Sequence, residues 1–131
     1  MVVEAYLSHP IRGFQNNSNT DVGALNVQKA VFVGNAIRLN IPSIKLYIPG
    51  EHQAFVSRAY HSGVLTDEQI LKIDCDIMCN KELVIFYDPD NHFSAGMTVE
   101  QGVAHENGIE QVSFQHINWA FLSHLVTLIN E

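Results

Sequence analysis

Positive charge is scarce in this chain. Seven Lys and Arg stand against 14 Asp and Glu, for a formal net charge of −7. A protein that holds duplex nucleic acid needs a basic face, so a polymeric nucleic-acid partner is not expected. A small anionic ligand is still compatible, because one pocket can be positive on an acidic surface. Cysteine is nearly absent: Cys75 and Cys79 are the only two, and no second pair exists to complete a zinc site with them. Four apart in a helical-looking segment, they are expected to be buried thiols rather than a disulfide. No apolar run is long enough to span a bilayer, so no membrane partner is expected. The opening MVVEAYLSHP has no basic stretch and its apolar run is broken by Glu4, unlike a secretory signal. The expected location is the cytoplasm. Among the seven histidines no pair has metalloenzyme spacing, so no metal or other cofactor is expected.

What is present is an alternation of strand-like and helix-like segments within 131 residues, enough for one domain spanning 1–131. Val2 to Leu7 reads as a strand that stops at Ser8-His9-Pro10. A polar loop follows to Thr20. From Asp21, apolar residues recur at spacings of three and four through Ile37, and Asn40 and Pro42 close that helix. Ile44 to Ile48 is a second strand, Glu51 to His61 a helix ended by Gly63. Thr66 with Gln69 forms a capping box opening a helix to about Met78. Leu83-Val84-Ile85-Phe86-Tyr87 is uninterrupted and apolar, as a central parallel strand is. Ser94 caps a helix from Ala95 to Asn107, with Gly108 just beyond it. Gln111 to Phe114 and Ile117 to Ile129 are a last strand and helix.

This order predicts an α/β fold: a flavodoxin/Rossmann-like three-layer sandwich with a mostly parallel sheet of four to five strands and helices on both faces. Ligands of such sheets bind beyond the carboxyl ends of the strands. The polar segments Ser8 to Asn19, Pro49 to His52 and Asp88 to Gly96 lie at those ends and should converge.

The segment with most chemistry is Ser94-x-Gly96-Met97-x-x-Glu100-x-Gly102-x-Ala104. Gly96, Glu100 and Ala104 are four apart and share a helix face, so a carboxylate stands among small residues that leave room for a ligand. Ser94 and the free first-turn N–H groups form an anion site. Glu100 lies roughly 9 Å along the helix from Ser94 at about 1.5 Å per residue. A capped surface helix with an exposed glutamate is the competing explanation.

Together with Tyr6-x-Ser8-x-Pro10-Ile11-Arg12-Gly13 and Asp74-x-Asp76, this motif resembles the nucleoside 2-deoxyribosyltransferase-like family, which includes 2′-deoxynucleoside 5′-monophosphate N-hydrolases. The resemblance runs through most of the chain. It implies that Glu100 attacks C1′ of a sugar and forms a glycosyl-enzyme intermediate, passed to water by hydrolases and to a second base by transferases. It implies that an aspartate ahead of the central strand assists the base or positions the sugar; Asp76 matches best and Asp74 second. Tyr6 would orient the nucleophile. Ser8, His9, Ile11, Arg12, Gly13, Ser94, Gly96 and Met97 would line the substrate site. Transferases of the family usually carry Asp where Ser94 stands. A carboxylate there would repel phosphate, so Ser94 favours a nucleotide, with Arg12 supplying charge.

The chain departs from the family at His9, where a small residue is more usual, and in the Asn-rich loop Phe14 to Asn19. His9 is therefore expected to narrow the base pocket or touch the base. The competing functions are base exchange between nucleosides and non-catalytic nucleotide binding. Family members are dimers whose neighbour completes the pocket. The apolar last helix, with Trp119, Phe121, Leu122, Leu125 and Ile129, fits a homodimer or dimer-based oligomer.

Overall fold

A computed structural model describes residues 2–11 and 20–130. Four strands, β1 (Val3–Ser8), β2 (Ile44–Tyr47), β3 (Leu83–Tyr87) and β4 (Glu110–Phe114), form one sheet in the order β2-β1-β3-β4. Every pairing is parallel, with Tyr6 opposite Tyr47 on one side and Val84 on the other. The helices are α1 (Thr20–Asn40), α2 (Gln53–His61), α3 (Asp67–Met78), α4 (Ala95–Glu106) and α5 (Trp119–Ile129), with a 3-10 turn over Pro49–His52. The helix expected from Glu51 thus begins as that turn and becomes α-helical at Gln53. Other boundaries shift by one or two residues, as fraying ends do.

Strand alternation sorts the core into two layers. Ala5, Leu7, Ile44, Leu46, Leu83 and Ile85 pack under α1 and α5. Tyr6, Val84 and Phe86 face the other way, against Met78 of α3 and Met97 and Ala104 of α4. Both faces of β3 are buried, which is why its sequence is apolar without interruption. On the α1/α5 side Tyr87, Phe114 and Phe121 stack at centroid separations of 5.2 and 4.2 Å.

Local chemistry fixes the ends. Thr66 and Gln69 make the reciprocal capping box, at 3.1 and 2.9 Å. Gly63 and Gly108 take positive φ, 78° and 65°, after α2 and α4. Gly34 has another purpose: a Cβ there would lie 2.2 Å from Ile48 Cδ1, so its hydrogen lets α1 approach the sheet. The chain leaves β1 toward β2 in one direction, and leaves β2 for β3 and β4 in the other. This reversal opens a crevice between the carboxyl ends of β1 and β3.

Candidate active site

That crevice holds Glu100. Its carboxylate, 6% exposed, comes from the second turn of α4 and meets the end of β1. Tyr6 Oη donates to Oε2 at 2.5 Å and Ser8 Oγ donates to Oε1 at 2.8 Å. Tyr6 and Ser8 are two apart on one strand, so both hydroxyls project to the same face, where α4 lies. Burial pushes the Glu100 carboxyl up to about 7, partly opposed by the two hydrogen bonds, with the negative charge of Asp74 adding to the rise. Burial, and then the Glu100 charge, hold the Tyr6 phenol well above its ordinary value, so Tyr6 remains a donor. An exposed glutamate on a merely capped helix is excluded by this burial.

The second carboxyl is Asp74, half-buried on α3. Burial raises it to about 6, against the lowering influence of His52. Its charge acts on Glu100, Tyr6 and Tyr47. Asp76, the better motif match, is not brought to the site. It lies on the solvent side of α3 and pairs with Lys72 one turn back at 3.0 Å. Helical periodicity separates the two: Leu71, Asp74, Cys75 and Met78 fall on the inward side, while Lys72 and Asp76 share the outward one.

Tyr47 and His52 complete one wall, and the motif analysis did not single them out. Tyr47 stacks on Tyr6 at 5.7 Å and on His52 at 5.2 Å, a ladder of three rings. The signal available in the sequence was the polar strand end at Pro49 to His52; the pairing of Tyr47 with Tyr6 follows from the register of the two strands, which the sequence does not show.

The remaining expected site residues divide. Ser94 caps α4, its Oγ accepting from Met97 N–H at 3.2 Å, with its own hydroxyl proton left to donate. Gly96 borders open space, since a Cβ there would find only Leu71 Cδ1 at 3.9 Å. Met97 lies in the core behind the site and is not a lining residue, because it projects under the helix among Tyr6 and Phe86. Ser8 is also enclosed, and its hydroxyl is spent on Glu100 rather than on a ligand. His9 does not face the cleft: it is buried, with both ring nitrogens bonded to backbone groups. Ile11 is half-buried, and its carbonyl accepts from Asn26 Nδ2 at 3.1 Å. Arg12 and Gly13 lie outside the described residues, as does the loop Phe14 to Asn19.

Cys75 is buried and Cys79 exposed, both free. Burial, followed by the Glu100 charge, raises the Cys75 thiol to about 11, which keeps it protonated and unreactive. Among the described residues no cluster of side chains has the makings of a metal site, and no helix is long and apolar enough to cross a membrane. Two surface grooves, about 340 and 530 Å³, lie on the opposite side of the sheet beside α1 and the approach to α5. Neither is lined by Glu100, Asp74, Tyr6 or Ser94, so volume does not mark the site here.

Fold and crevice together define a flavodoxin/Rossmann-like three-layer α/β sandwich with two carboxyls at its topological switch point. A scan against protein-family models finds no match, and neither does a search of curated proteins. A solved structure of a conserved protein from Enterococcus faecalis V583 aligns with 100% of this chain and 76% of its own, at TM-score 0.67 and 19% identity. The likeness is one of fold.

Proposed function

We propose that the protein cleaves the N-glycosidic bond of a nucleoside 5′-monophosphate, with Glu100 as nucleophile and water as acceptor. The observation that carries this reading is the Glu100 carboxylate, buried at the switch point with each oxygen held by a hydroxyl of β1. A structural carboxylate would gain more from a cation, whereas two neutral donors orient it and leave lone pairs free.

In the first step a Glu100 oxygen bonds to C1′ as the C1′–N bond breaks. The bond's electron pair leaves with the base, which takes a proton from the Asp74 carboxyl. In the second, Asp74 as carboxylate accepts a proton from water while the water oxygen displaces Glu100 from C1′. The free sugar phosphate departs and both carboxyls are restored. The chemistry needs Glu100 ionised and Asp74 protonated. Burial raises Glu100 to about 7 and Asp74 to about 6, so one proton is shared between the two carboxyls in that range and activity should peak there.

A sugar phosphate would sit at the Ser94 end of α4, where, among the described residues, the Ser94 hydroxyl proton and the Ala95 and Gly96 amides have no acceptor. The resemblance adds Arg12 as the counter-charge. The test is release of free base from a deoxynucleoside and from its 5′-monophosphate, with and without a second free base. The monophosphate should react at least tenfold faster, yielding sugar phosphate even when the second base is present. Faster reaction of the nucleoside, with a new nucleoside formed, would establish base exchange instead.

The resemblance also leads us to propose a homodimer. Exposed apolar side chains occur on both faces: Phe32 and Trp119 on the α1/α5 side, and Phe55, 75% exposed, on the helix that follows His52. A neighbour packed on α2 would approach the cleft from the His52 side. Light scattering should give twice the chain mass of 14.7 kDa, and a single-chain mass at micromolar concentration would contradict it.

A further inference from the structure

We propose that His9 is a positioning residue: as the neutral Nδ1–H tautomer it caps the Pro49–His52 turn across the fold and thereby fixes the Tyr47–His52 wall to the end of β1. The need for such a cap is local. A helical turn begins with amides that lack an intrahelical acceptor. The residue at the cap position is Ile48, whose side chain has no oxygen and makes no capping bond. Gly50 is buried, so its N–H cannot turn to water. It donates instead to His9 Nε2 at 3.0 Å, from 41 residues away in sequence. The other nitrogen, Nδ1, lies 3.1 Å from Pro10 O and must carry the proton, because a carbonyl only accepts.

The fit around Gly50 is close. A Cβ there would stand 3.2 Å from His9 Cε1 and Nε2 and 3.2 Å from Val27 Cγ1. The ring is thus held between α1 and the turn, one residue beyond the serine that bonds the nucleophile. At its far side the same turn is held by Glu51, whose two oxygens accept from Arg38 at 2.7 Å each. His9 and Arg38 therefore fix the turn at two points, and His52 rides on it against Tyr47.

A second proton on the ring would set N–H against N–H at Gly50. The charged group on the turn, Glu51, is engaged by Arg38, and His52 is stacked on Tyr47. Neither acts on His9, whose titration is governed by burial and by the Pro10 carbonyl. Burial lowers it to about 4. The cap is present at neutral pH and is lost only in acid. This role is independent of the reaction proposed above, since it concerns how one wall of the cleft is built.

The test uses the free protein. Long-range proton–nitrogen spectra should show His9 with hydrogen on Nδ1 and a bare Nε2 from pH 8 down to about 5. Amide exchange should show Gly50 protected at pH 7. In His9→Phe, which keeps a ring but no acceptor, protection of Gly50 relative to Ile85 should fall roughly 10–100-fold. In His9→Gln, whose side-chain oxygen can reach the place of Nε2, most of it should return. Rescue by Gln separates capping from mere filling of space. Hydrogen on Nε2 in the wild type, or Gly50 protection unchanged in His9→Phe, would overturn the proposal. If His9→Phe does not fold, the wild-type tautomer and the ratio of Gly50 to Ile85 exchange below pH 5 still decide it: the cap predicts a falling ratio, and a constant ratio contradicts it.

Discussion

Glu100 is a buried carboxyl held by two hydroxyls, and its burial has a consequence for stability. Its carboxyl titrates near 7 in the folded chain against 4.5 when exposed. The folded protein therefore keeps a proton that the unfolded chain releases. Stability from this group is complete below about pH 4.5 and is lost as pH rises through 7. Glutamine cannot ionise, so Glu100→Gln should be more stable than the wild type at neutral and alkaline pH. The gap should widen from pH 5 to pH 8 toward about 3 kcal/mol, followed by urea unfolding across that range. A gap that is flat with pH would place the carboxyl in water and remove the basis for its reactivity. The two aspartates make the opposite comparison. Asp74→Asn should lower base release by at least about 100-fold through loss of the acid and base, and Asp76→Asn should change it less than about twofold. The aspartate with the better motif match is the one on the solvent side. The motif places residues along the chain, whereas choosing between positions two apart on a helix takes the direction of each side chain, roughly 200° different. The neighbours Leu71, Cys75 and Met78 carry that direction in the sequence. His9 was not legible in the same way, because its partner is a backbone amide 41 residues distant.

At the scale of elements, the strands and helices follow closely from local signals. The capping box, Ser94, Gly63 and Gly108 each mark an end where the structure has one. The 3-10 turn did not follow, since its acceptor is His9, just beyond the first strand, and its own cap position holds isoleucine. Two helical glycines separate packing from propensity. Gly102 has open space about it, and alanine there should stabilise by about 0.5–1 kcal/mol through helix propensity alone. Alanine at Gly34 gains the same propensity but must displace Ile48, a fully buried side chain. Overpacking of this kind costs about 1–3 kcal/mol, so Gly34→Ala should be net destabilising. Thermal melts of the two variants check this. Equal shifts of the same sign would mean that α1 can move away from the sheet at no cost, and that its distance from β2 is not fixed by Gly34.

Across the whole molecule the strand order determines where chemistry can occur. The sheet reverses its direction of travel beside β1, and the end of β1 and the segments after β2 and β3 supply Ser8, His52 and Glu100 to the same end. The carboxyl-end convergence was legible from strand alternation; which of the convergent residues touch each other was not, because that depends on register and helix rotation. The central claim is that Glu100 becomes covalently attached to C1′. A 2-fluoro-2-deoxy nucleoside 5′-monophosphate slows both steps of such a reaction and lets the intermediate accumulate. Intact-protein mass spectrometry after incubation should show one added 2-fluoro-2-deoxyribosyl 5-phosphate per chain, with peptide mapping placing it on Glu100. The adduct should be absent in Glu100→Gln. No adduct under conditions where the wild type releases base, or an adduct on another residue, would contradict the account.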